Sequence, residues 1–128
     1  MKTIDKQYVY IVQASNETAR CQIGKTKDLE QQLKTYNSIA GNSKSKKYRY
    51  LFTCQVGNMA IMEYDIKEKF SVMSEEGNGE MYFYNSALFE MYVDFIKEHK
   101  MFIKEVPIKK SEPKQIVKNI TKQTEKTL

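Results

Sequence analysis

The chain has 128 residues, 41% of them hydrophobic and 29% charged, with no tryptophan and a net charge of +5. That length supports one hydrophobic core and a tail, and excludes two independent cores. No apolar run approaches the ~18 residues of a membrane span and the opening MKTIDKQ lacks a signal peptide's apolar centre, so an intracellular protein with no membrane partner is expected.

In chain order, Tyr8, Tyr10 and Val12 alternate with Val9 and Ile11, and Cys21 and Ile23 begin a second period-2 run that ends at Gly24. A hairpin of strands over 7–13 and 19–24 follows from this. Asp28 and Gln31 have the spacing of a capping box, and open a helix over 28–38 with Leu29, Leu33 and Tyr36 on one face. SIAGNSKSKK, residues 38–47, reads as a basic loop. KYRYLFTCQV, residues 47–56, reads as a central strand, its alternation putting Tyr48, Tyr50, Phe52, Cys54 and Val56 on one buried face. Asn58 is the expected N-cap of a helix over 58–70, whose inner face carries Met59, Met62, Ile66 and Phe70.

EEGNGE, residues 75–80, is a turn, and Met81–Asn85 a short aromatic extended segment. A third helix over 86–100 carries Leu88, Tyr92, Phe95 and His99 in one stripe, with Met91 and Ile96 beside it. MFIKEVPI is a candidate last strand. From Lys109 onward the apolar residues thin out and six lysines face two glutamates, so 1–108 is read as the domain and 109–128 as a flexible basic tail. The fold class is α+β: a small, mostly antiparallel three-stranded sheet flanked by helices.

Charge divides unevenly along the body. Residues 20–50 hold eight Lys or Arg against two acids, whereas 51–108 hold five against ten. A basic half beside an acidic half is the pattern of a polyanion-binding face, with a solvated surface as the bland alternative. Cys21 and Cys54 lack metal-ligand spacing and read as buried thiols of a reducing compartment. His99 is the single histidine, so triad chemistry has no well-placed base. Tyr36, Tyr48 and Tyr50 lie near the basic stretch, where tyrosines can stack on unpaired bases, although strand alternation favours Tyr48 and Tyr50 as core.

The order strand, loop, strand, glycine, helix resembles the GIY-YIG nuclease superfamily. Its first motif would be Tyr8-Val9-Tyr10 and its second Gln22-Ile23-Gly24, with eleven residues between Tyr10 and Gln22. GEMYF, with Glu80, resembles the Gly-Glu-aromatic segment of a viral and bacterial branch. The resemblance implies an endonuclease that holds Mg2+ or another divalent cation on a glutamate, here Glu63, and steadies the phosphate with an arginine. Eight residues on from Gly24, that arginine's place is taken by Gln32. Tyr8 and Gln22 likewise replace a glycine and a tyrosine. Tyr10 is either part of the nucleophile-activating set or packing beneath it, and Glu80 is read as a supporting residue.

Arginine offers a fixed charge and a fork matched to phosphate, which glutamine lacks. The expectation is a nuclease-like protein whose hydrolysis is weakened or lost, a pseudo-enzyme unless Lys34, Arg20 or Arg49 compensates. DNA is the expected partner and RNA the second, contacted through Arg20, Lys25, Lys34, Lys44, Lys46, Lys47 and Arg49. The alternative is a regulatory module on the same scaffold that meets a protein partner through its acidic half or its lysine-rich tail.

Overall fold

The computed structural model describes residues 6–40, 47–75 and 78–108. Six strands, β1 (Gln7–Ala14), β2 (Arg20–Thr26), β3 (Tyr48–Val56), β4 (Ser74–Glu75), β5 (Asn78–Phe83) and β6 (Phe102–Glu105), form one sheet in the order β4-β5-β2-β1-β3-β6. Every pairing is antiparallel. The α+β class therefore holds, and the expected three strands are the middle of a wider sheet. The three added strands are short: β4 has two residues, β5 six and β6 four. Glu75 and Asn78–Glu80, expected in a turn, are strand residues.

Helix α1 (Leu29–Ala40) packs on one face, and α2 (Met59–Lys69) and α3 (Ser86–Glu98) on the other. The helix starts follow from their caps. Asp28 Oδ1 accepts from the Gln31 N–H at 3.0 Å, and Asn58 and Asn85 do the same for Ile61 and Leu88. Each bond satisfies an amide that the first turn leaves without a helical partner. The Gln31 side chain turns instead to Thr35, so only half of the capping box forms.

The core lies between the sheet and α2–α3. Val9 and Ile11 of β1, Cys21 and Ile23 of β2, Phe52, Cys54 and Val56 of β3 and Tyr82 of β5 meet Met62, Ile66, Phe70, Tyr92 and Ile96. Fully burying one such aliphatic or aromatic side chain contributes about 1.5–3 kcal/mol, so this layer holds the sheet. Val93 and Phe89 also pack against it, whereas Met91, expected beside the stripe, is 44% exposed. Both cysteines are free and buried, on strands separated by β1.

One irregularity decides what the other face displays. Between Ile11↔Phe52 and Val12↔Tyr50 the β1–β3 register slips by one residue, so Leu51 is extra. A bulge of this kind places two consecutive residues on one side. Leu51 joins Phe52 against the core, and Tyr50 and Tyr48 turn over to α1. The expectation that these tyrosines share the buried face of Phe52 is corrected: the alternation restarts at the bulge.

Candidate functional site

Gly24 lies across the β1–β2 ladder from Tyr10, and the tyrosine ring fills the space above it. A Cβ at Gly24 would stand 2.5 Å from the Tyr10 hydroxyl oxygen and 2.8 Å from Cζ, so only glycine lets the ring settle there. Tyr10 then shares a 3.0 Å hydrogen bond between hydroxyls with Tyr36 of α1 and tilts against Tyr50 at 5.3 Å. Tyr36 stacks on Tyr48 at 4.9 Å, and Tyr50 donates to the Leu29 carbonyl at 2.7 Å. Burial first, and then the Tyr36 hydrogen bond, push the Tyr10 phenol well above its ordinary value. Tyr10 therefore stays neutral at physiological pH. A role for it is as a hydrogen-bonding hydroxyl, not as a phenolate base.

Lys25 follows Gly24 and faces the other way, opposite Val9 and toward α2. There its ammonium meets Glu63 Oε1 at 2.5 Å, with the Glu63 side chain only 12% exposed. The carboxylate is close enough to Tyr82 to help raise that phenol to about 12, after the larger effect of burial. Tyr10 and Glu63 thus lie on opposite sides of the strand that joins them, one residue out of phase. Two buried polar atoms beside β2, Gln22 Oε1 and the Tyr82 hydroxyl, have no partner among the described residues. Gln22 is the residue in the second motif's tyrosine position.

Among the described residues no three His, Cys, Asp or Glu side chains gather as a metal cage. Magnesium is held in many phosphoryl sites by one or two carboxylates, waters and the substrate's phosphate. Glu63 fits that lean donor set, with Lys25 already on one of its oxygens.

Gln32 is half-buried on α1, and its side-chain amide makes no hydrogen bond among the described residues. Glu80 is exposed on β5, and its charge reaches the Tyr10 and Tyr36 phenols. Arg20 sits at the far end of β2, where Glu75 holds it at 2.8 Å and Glu17 at 3.5 Å. Its charge is consequently matched locally. Tyr8, Lys34, Lys47 and Arg49 line a groove of about 1360 Å³ between α1, β3 and the segment after β6. Lys44, Lys46 and the tail 109–128 lie outside the described residues.

Three further cations of that groove, Lys6, Lys27 and Lys104, were not legible as site residues. They come from separate parts of the chain. The far wall is Val106, Pro107 and Ile108, held to the sheet because Thr53 Oγ1 donates to the Val106 carbonyl at 2.7 Å and Val106 N–H donates to the Thr53 carbonyl at 2.8 Å. Tyr36 was also missed as the partner of Tyr10; the signal was its place on the inner face of α1.

A family model for the T5orf172 domain matches residues 7–105. The chain belongs to the T5orf172 family. T5orf172 is a GIY-YIG-like, nuclease-associated domain family of phage origin, which agrees with a nuclease-like, DNA-binding scaffold. The T5orf172 match runs from the first residue of β1 to the last of β6, so the whole sheet falls inside it. No curated protein and no solved structure matches the chain. No helix among the described residues is long and apolar enough to cross a membrane.

Proposed function

We propose that this T5orf172 domain binds nucleic acid, DNA first, and that phosphodiester hydrolysis on its scaffold is weakened or lost. The observation carrying this reading is that the Glu63 carboxylate is engaged by Lys25 on the α2 side, across the sheet from Tyr10, while α1 carries a neutral Gln32. Hydrolysis requires a water oxygen to bond to phosphorus while the bridging ester bond breaks and the leaving oxygen takes a proton. A divalent cation on Glu63 would supply Lewis-acid stabilisation of that leaving oxygen. Tyr10 and Tyr36 lie across the sheet from Glu63, so their bonded hydroxyls steady α1 and do not serve a water held at Glu63. Lys25 can meet a phosphate oxygen.

What the site lacks is the fixed cation on α1. Losing one preorganised donor at such a position costs roughly 3 kcal/mol, about a hundredfold or more in rate, and a full charge at least that. Gln32→Arg is therefore expected to raise Mg2+-dependent nicking of supercoiled DNA by about a hundredfold, and Glu63→Gln in that background to abolish it. An arginine variant that is folded and binds DNA but nicks no faster than the parent would remove the nuclease part of the proposal.

A further inference from the structure

The groove between α1 and β3 is built differently from a surface that only neutralises phosphate. Its floor is apolar and aromatic: Leu29 and Leu33 of α1, Tyr48 and Tyr50 of β3, and Val106 and Pro107 opposite. Its rim is cationic. Lys6, Lys34, Lys47 and Lys104 make no ion pair among the described residues, and Arg49 touches only the Gln13 amide, at 3.5 Å. Against the six cations stand three acids: Asp28, which caps α1, Glu30 on α1, and Glu105, which pairs with Lys97 at 3.3 Å. The balance of charge around the groove is positive.

Size narrows the occupant. At about 1360 Å³ the groove exceeds the roughly 300–1,000 Å³ of small-molecule pockets. A paired duplex offers phosphates and groove edges, for which an apolar floor with tyrosine faces has no use. An unpaired strand offers phosphates to the rim and base faces to the floor together. Tyr48 is positioned for the second task, half-buried in the groove wall and braced from behind by its stack on Tyr36.

The geometry points to this groove as the seat of an unpaired DNA strand, its backbone along Lys34 and Lys104 on opposite walls and a base against Tyr48. The inference rests on the nucleic-acid reading above and adds strand state and location. It concerns the α1 side of the sheet, whereas the Lys25–Glu63 pair lies on the α2 side.

The test is fluorescence anisotropy of the full chain with a labelled thymidylate strand of about 20 nucleotides, a length spanning several contacts, and with a duplex of equal length, over a salt series. The strand is expected to bind at least about tenfold tighter than the duplex. Lys34→Ala and Lys104→Ala should each lower the slope of log K against log salt by about 0.7. Tyr48→Leu should weaken strand binding about tenfold, with Tyr48→Phe close to the parent. If Tyr48→Leu fails to fold, the two lysine variants, both at exposed positions, decide the matter. Equal or tighter binding of duplex, or strand binding indifferent to both lysine substitutions, would overturn the groove assignment and leave the nucleic-acid reading in place. No binding of either probe at low salt would overturn both.

Discussion

The ring of Tyr10 occupies the volume that a side chain on Gly24 would need, so the two residues define one position in the sheet between them. Gly24→Ala must push the Tyr10 hydroxyl aside, because the new Cβ would stand 2.5 Å from it. The displaced ring also loses its bond to Tyr36. Overpacking of this sort costs about 1–3 kcal/mol. Urea denaturation of Gly24→Ala is expected to show a loss in that range. In Gly24→Ala/Tyr10→Leu, where the clash is absent, the alanine should cost little. Equal costs in the two backgrounds would show that the contact is not what the glycine serves.

Alkaline pH should destabilise the fold, because several buried thiols and phenols ionise more readily once the chain is unfolded. Burial raises the thiols of Cys21 and Cys54 from 9.0 to about 12 and the Tyr82 phenol from 10.0 to about 12. It also raises Tyr10, Tyr50 and Tyr92. The unfolded chain ionises first, so the stability these groups contribute is complete below about pH 9 and falls as pH climbs toward 12. Each group removes about 1.4 kcal/mol per pH unit once its unfolded form has ionised. The urea midpoint, followed from neutral to about pH 11, should drop steadily over that window; a flat profile would mean that these groups are not protonated in the fold.

His99 fastens α2 to the end of α3. Its Nδ1 accepts from the Met101 N–H at 3.0 Å, which leaves the proton on Nε2 to donate to Asp65 Oδ2 at 2.7 Å. The neutral ring makes both bonds. His99→Ala strands the Met101 amide and should cost about 2–3 kcal/mol. Asn at this position can replace only one of the two bonds and should fall between. A differential scanning experiment that ranks the three proteins otherwise would refute the two-bond account.

The Lys25–Glu63 pair is partly open to water, with the Lys25 side chain 36% exposed, so screening discounts it. Lys25→Met is expected to cost about 1 kcal/mol at low salt and less at high salt. The same substitution frees Glu63 Oε1. Mg2+ should then raise the melting temperature of Lys25→Met more than that of the parent.

Much of the frame could be read from the chain. The first hairpin was legible because Tyr8–Val12 alternates without interruption, α2 because it begins at the Asn58 cap, and both α2 and α3 because apolar residues recur every three or four positions. Of the outer strands, β6 falls within MFIKEVPI and the end of β5 within the aromatic segment, whereas the two residues of β4 and the start of β5 carry turn chemistry in the sequence. The site was legible only in its parts. Glu63, Gly24 and Tyr10 could be named, but the half-turn between Gly24 and Lys25, which sends Tyr10 and Glu63 to opposite sides, is a matter of register. The groove was hidden for another reason: Lys6, Lys34 and Lys104 become neighbours only after β1, α1 and β6 have closed on β3.

Leu51 shows how little it takes to redistribute chemistry across a sheet. One surplus residue in β3, set in the bulge, lets Tyr48 and Tyr50 face α1 while Phe52 faces the core, and deleting it would leave Ile11 opposite Phe52 and Val12 opposite Tyr50 in an unbroken ladder, with both tyrosines still on the outer face. The surplus residue sets phase, not identity: Phe52 reaches the core and Tyr50 the opposite layer although a single position separates them in the sequence.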